Sequence, residues 1–346
     1  MTPPLKRLCV AVTACLLATA LPLPAEEDDG SIEGLVQQAR EWLEENPPGE
    51  IAATDFPTTE DWQSFWSDAQ TALHSGTVED LAWIRPEIEA ALGYLVAVPG
   101  GRNYADWLRQ RLDYFQVAEE AIRDKPSIPL RPPPAAKPPM APRSIVPPRR
   151  STPPAPAPPV PVESRMRAAV RSPAMWSHRL AGRPRPAGAD AIVPDLKKAF
   201  AAEGVPPELV WLAEVESSMN PEARSPSGAV GLFQLMPDTA RGLGLRTRFG
   251  DERRSPQKSA RAAARYLRQL HQRFGSWPLA IAAYNAGEGC LSQAMKKDRN
   301  ASFEEIAPAL PLETQMYVPK VMATVALREG VDPAKLPPPS LPRTGE

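Results

Sequence analysis

The sequence predicts a mainly α-helical protein of two helical units joined by a proline-rich segment. Three observations predict it. Apolar residues recur at helical spacing on both sides of residues 126–162. Thr, Ser and Pro stand where those patterns begin, and Gly where several of them end. The stretch between them, 126–162, holds 16 prolines in 37 positions. A chain of 346 residues has room for two domains. Its 42% hydrophobic and 23% charged residues suit a sizeable buried core. A net charge of −1 argues against a nucleic-acid binder working by bulk charge. Three Cys exclude a disulfide scaffold. His74, His178 and His271 lie too far apart for zinc-ligand spacing. The 44 Pro come with only 20 Gly and no three-residue period, which excludes collagen.

Residues 1–25 read as a secretory signal peptide. Lys6 and Arg7 precede an apolar run from Leu8 to Leu21, shorter than the ~20 residues a spanning helix needs. Pro22 and Pro24 break the run, and small Ala25 precedes four acids. The alternatives are a retained anchor and lipid attachment at Cys15. Cleavage after Ala25 leaves Cys290 as the remaining thiol, a small buried hydrophobe by expectation. The reading implies export across an inner membrane to the periplasm or cell envelope.

Residues 26–125 read as a helical module. Ile32, Leu35, Val36, Ala39, Trp42 and Leu43 share one face of a first helix. Thr58 and Thr77 open a second and a third, carrying Trp62, Phe65, Trp66 and Leu73, then Leu81, Ile84, Ile88 and Leu95. Tyr104, Trp107, Leu108, Leu112 and Phe115 mark a fourth. The aromatics at this spacing read as core rather than as a sugar-binding face. No motif here names a function, and docking of an envelope protein partner is one role it leaves open. Residues 126–162 then form a basic linker, with five Lys or Arg and no acid, expected to run as extended polyproline II. It reads as a spacer; the alternative is a tether along an anionic wall polymer.

The chemistry lies in 163–330, with its motif core at 190–330 and a proline-containing tail at 331–346. Pro206-Pro207 starts a helix on which Leu209, Leu212, Ala213 and Glu216 fall on one face. A carboxyl on an apolar stripe has its charged form disfavoured and keeps a proton near neutral pH. A general acid for a glycosidic oxygen needs that. Asn220-Pro221 and Ser225-Pro226-Ser227-Gly228 turn the chain just after it. Ser225 and Gln234 are neutral hydrogen-bonding groups suited to hydroxyls and acetamides, and Met236 offers an apolar patch. Tyr284 and Asn285 lie at the end of a helix stopped by Gly287. Glu313 to Lys320 open the last helix.

The ordered set Glu216-Ser217, Asn220-Pro221, Ser225-x-x-Gly-Ala-x-Gly-Leu-x-Gln234-x-Met236-Pro237, Ala283-Tyr284-Asn285-Ala286-Gly287 and Glu313-Thr314-x-x-Tyr317-Val318 resembles the lytic transglycosylases with a soluble-type (SLT) catalytic domain. Pro207-Glu208-Leu209 and Tyr317-Val318-Pro319-Lys320 look most like the membrane-bound murein transglycosylase D branch. That branch usually carries C-terminal LysM modules, which are not expected in this sequence; Glu288 stands where the family often has Pro. The resemblance implies a lysozyme-like fold for the catalytic domain, separate from the N-terminal bundle. It also implies a peptidoglycan lytic transglycosylase, a carbon–oxygen lyase on murein glycan strands that leaves 1,6-anhydro-muramic ends.

The family role carried to Glu216 is acid, then base. Ser225, Gln234, Met236, Tyr284 and Asn285 are expected to hold the substrate, and Tyr284 to fix Glu216 by a hydrogen bond. Ser217, Glu313 and Tyr317 are expected to support the groove. No metal or organic cofactor is called for, and a monomer is expected. Two rival readings remain: a goose-type lysozyme-like hydrolase, and a non-catalytic peptidoglycan-binding envelope scaffold.

Overall fold

A computed structural model describes residues 32–45, 57–98, 100–123 and 161–342. The signal-peptide reading at 1–25 and the linker reading up to residue 160 fall outside the described residues. The regular elements among those described are helices, so the mainly α class holds.

The first four helices are α1 (Ile32–Glu45), α2 (Thr59–His74), α3 (Val78–Ala97) and α4 (Arg102–Arg123). Their starts are local chemistry. Thr58 and Thr77 each accept a backbone N–H three residues on at 3.1 Å, and Asp61 and Asp80 accept the threonine N–H in return at 2.8 Å. The apolar faces close over one core. Trp62, Phe65 and Trp66 of α2 are buried there, and Trp66 meets Trp107 of α4 edge to face at 5.5 Å. These aromatics are packing, as their spacing suggests. Two further helices, α5 (Val162–Val170) and α6 (Pro173–Leu180), join the same core through Met166, Val170, Trp176 and Leu180. Sequence alone groups most of this stretch with the second half. Its apolar side chains instead cover the open face of α3, α4 and the last helix.

The second core is built from α7 (Ala189–Ala202), a tight turn at Pro207–Trp211, α8 (Leu212–Ser217), α9 (Pro237–Gly242), α10 (Pro256–Phe274), α11 (Trp277–Ala286), α12 (Glu288–Ala294), α13 (Phe303–Ile306) and α14 (Leu312–Glu329). Ala260, Ala263, Ala264, Leu267 and Leu270 of α10 are fully buried in it. On the other side of α10, Arg265 and Arg268 pair with Glu203.

The last helix belongs to both cores. Tyr317, Val318, Val321 and Val325 face the second. Leu312, Met316 and Ala323 face the first. A helix buried nearly all round needs its polar groups satisfied inside the protein. Lys320, 1% exposed, is held by Asp113 of α4 at 3.1 Å and donates to the carbonyl of Gln110. Asp113 also takes Arg183 at 2.7 Å. Burial alone would raise the Asp113 carboxyl, but Lys320 and Arg183 overcome it and hold it down at about 2. Arg328 of α14 grips Glu214 of α8 with two bonds, at 2.6 and 2.8 Å. Among the described residues no helix is long and apolar enough to cross a membrane.

Candidate active site

Glu216 stands near the end of α8, 7% exposed, with Leu212 and Ala213 of the same helix fully buried; Leu209, expected on that helix, is fully buried in the tight turn before it. Two left-handed residues, Ser218 (φ 51°) and Met219 (φ 62°), follow it and turn the chain away. Ser217 donates to the carbonyls of Ala213 at 3.1 Å and Leu232 at 2.9 Å, tying the helix end to the following loop. Burial pushes the Glu216 carboxyl up to about 7. The Tyr317 hydroxyl donating to its Oε1, and the nearby Arg111 and Lys320, pull the other way, while Glu313 adds to the rise. The carboxyl opens onto a cavity of about 580 Å³.

The loop after Glu216 folds back on itself as its turn residues require. Gly231, at φ 85°, sits where an added Cβ would lie 2.1 Å from the Arg253 carbonyl oxygen. Arg253 threads the loop from below, donating to the carbonyls of Gly228 and Leu235 at 2.9 Å each. Ser225 and Ala229 exchange bonds at 2.9 Å. Gln234 adopts φ 46°, and its amide nitrogen donates to Ala223 and Gly231 carbonyls at 3.1 and 2.9 Å. Its Oε1 is buried with no protein donor. A buried acceptor in that state calls for a donor from elsewhere.

The structure brings Ser225, Gln234, Met236, Asn285 and Glu313 to the cavity with Glu216. Met236 stays 42% exposed, as an apolar patch does. Asn285 accepts from Thr314 at 2.7 Å through its amide oxygen. Tyr284 is placed differently from expectation: its hydroxyl donates to the Phe233 carbonyl at 2.7 Å, and the bond to Glu216 comes from Tyr317. The reason is the direction of approach. Tyr284 comes off α11 under the loop, whereas Tyr317 comes off the first turns of α14, directly across from α8. Glu288 pairs with Arg273, away from the cavity lining.

Sequence reasoning missed the other wall. Ser67, Gln70, Thr71 and His74 of α2, and Trp107 and Arg111 of α4, also line the cavity. Arg111 lies 4.0 Å over the Trp107 ring and binds Glu313 at 3.1 Å. The polar side of α2 held the signal, but no motif marks it.

A mainly helical domain with a buried carboxyl, raised to about 7, opening on a cavity lined by polar and apolar side chains is the class that fold and site define. Residues 196–307 match the model of the transglycosylase SLT domain family, which bears out the motif resemblance over that stretch. The chain is 43% identical over 123 residues to the membrane-bound lytic murein transglycosylase D of Escherichia coli K12, covering 34% of this chain and 27% of the relative. It is 40% identical over 94 residues to membrane-bound lytic murein transglycosylase F of Alcanivorax borkumensis, covering 25% and 19%. The match thus spans only 27% and 19% of those relatives' length. Among solved structures, the 70 kDa soluble lytic transglycosylase of Escherichia coli aligns over 87% of this chain and 63% of its own, at TM-score 0.37 and 16% identity.

Proposed function

We propose that the chain is a peptidoglycan lytic transglycosylase of the cell envelope, cleaving the β-1,4 bond from N-acetylmuramic acid to N-acetylglucosamine without water. One observation carries the reading: Glu216 is buried at the cavity, bonded by Tyr317, and burial raises its carboxyl to about 7, so that a share of it keeps its proton at neutrality. The matched family and the named murein transglycosylase relatives support the substrate class.

Protonated Glu216 gives its proton to the glycosidic oxygen as the C1–O bond breaks, and the leaving oxygen keeps the electron pair. The muramic C6 hydroxyl then attacks C1 of its own ring. Its proton goes to the Glu216 carboxylate, which returns the acid to its starting state. Nucleophile and electrophile share one sugar, so proximity stands in for a second catalytic carboxylate. The unpartnered Gln234 Oε1 is suited to accept an acetamide N–H, and Ser225 and Asn285 to hold neighbouring oxygens. Met236 is suited to an apolar sugar face. Glu313 is the other carboxylate lining the cavity, and it is engaged by Arg111 at 3.1 Å.

The test is digestion of purified sacculi followed by mass spectrometry. Soluble muropeptides with 1,6-anhydro ends are expected from the wild type and not from Glu216→Gln. Reducing muramic ends would replace the reading by the hydrolase. Binding without release, identical in both proteins, would replace it by the scaffold.

A further inference from the structure

Ser67, Gln70, Thr71 and His74 follow helical spacing along one exposed edge of α2. That edge is distinct from the one that buries Trp62, Phe65, Trp66 and Ala69. All four line the cavity that holds Glu216. They are hydrogen-bonding side chains, a hydroxyl, an amide, a second hydroxyl and an imidazole, with no acid among them, whereas the adjoining exposed position on the helix is Asp68, outside the lining. Gln70 reaches across and donates to Ser227 at 3.3 Å. The two walls are therefore one long hydrogen bond apart, and a ligand lying on the 225–229 loop meets α2 as well.

The module that carries α2 is also tied to the second core. Along α4, Asp106 accepts from Asn220 at 3.1 Å, Gln110 donates to Ser218, and Asp113 holds Lys320 at 3.1 Å. These ties run to the loop just after Glu216 and to the helix that carries Tyr317. A surface held this way loses little freedom when a ligand settles on it.

We propose that the α2 edge, through Gln70, Thr71 and His74, is a saccharide subsite that takes N-acetylated sugar units beyond the bond next to Glu216. The chemistry is that of the sugar rings: their hydroxyl and acetamide groups are matched by amide, hydroxyl and imidazole groups, and no acid stands in the wall to repel a muramic carboxylate. The N-terminal module is then half of the glycan groove. The inference rests on the groove being a glycan site, as proposed above.

The experiment uses the full chain bearing Glu216→Gln, so that binding is read without turnover. Peptide-free GlcNAc–MurNAc disaccharide and octasaccharide are titrated by calorimetry into this parent and into the parent carrying Gln70→Ala, His74→Ala or both. Asp68→Ala serves as the control, and unfolding midpoints report that each variant is folded. Each single change is expected to weaken octasaccharide binding roughly 3–10-fold, the range of one lost hydrogen bond. Disaccharide binding should stay as in the parent, and Asp68→Ala should alter neither. Octasaccharide affinity unchanged in the double variant overturns the subsite, as does a parent that binds no octasaccharide. Digestion of sacculi by the wild type is read separately. Absent turnover with intact, wall-dependent binding would remove the proposed reaction and leave the subsite standing.

Discussion

Glu216 is a residue whose placement works against stability. Burial raises its carboxyl to about 7, so the folded protein binds its proton more tightly than the unfolded chain does. The contribution is fully present below the unfolded pKa and is lost as pH rises through about 7. Above that pH the ionised group costs on the order of 3 kcal/mol. Glu216→Gln should therefore raise stability toward urea at pH 8 while leaving it nearly unchanged at pH 4, and abolish turnover at both. Wild-type kcat/KM should fall as pH passes about 7, where the acid is lost. Tyr317→Phe removes the hydroxyl that favours the carboxylate. Its descending limb should move to higher pH, and its kcat should drop about tenfold because the carboxyl is less well aimed. An unmoved limb would mean that Tyr317 does not govern Glu216.

At the scale of elements, the loop from 223 to 236 is shaped by sites that tolerate little change. Gly231→Ala puts a methyl 2.1 Å from the Arg253 carbonyl in a left-handed conformation. It should destabilise the protein by about 3 kcal/mol and open the loop that Arg253 laces together. Chemical denaturation checks it. Thr77→Ala removes the cap of α3 and should cost about 1 kcal/mol with no effect on the pH limb of activity. These starts and stops were legible from sequence because their causes are local. Thr58 and Thr77 each meet their partner three residues away. The Tyr284 assignment failed for the complementary reason. Spacing along α11 says that a phenol is near the helix end; it does not say whether α11 or α14 faces α8.

At the scale of the whole molecule, α14 joins the two cores, and its buried Lys320 binds them together through Asp113. Asp113→Ala leaves that cation without its carboxylate and should cost roughly 3–5 kcal/mol, measured by urea unfolding at neutral pH. Because the folded Asp113 carboxyl is held down at about 2, its contribution is present above the ordinary aspartate range and fades as pH falls through about 2. The sequence by itself determined the helical class, the starts of α2 and α3, the carboxyl beside apolar neighbours and the motif set that resembles the SLT family. Each of these is written in residues a few positions apart, or in a resemblance carried by such short motifs. Only the tertiary structure decided that Tyr317 bonds Glu216, that Arg111 holds Glu313, and that α2 stands across the cleft from Gln234. Those pairings join residues about a hundred or more positions apart, and no local preference encodes them. They follow from how two apolar faces of one helix, α14, bring two separately written cores together.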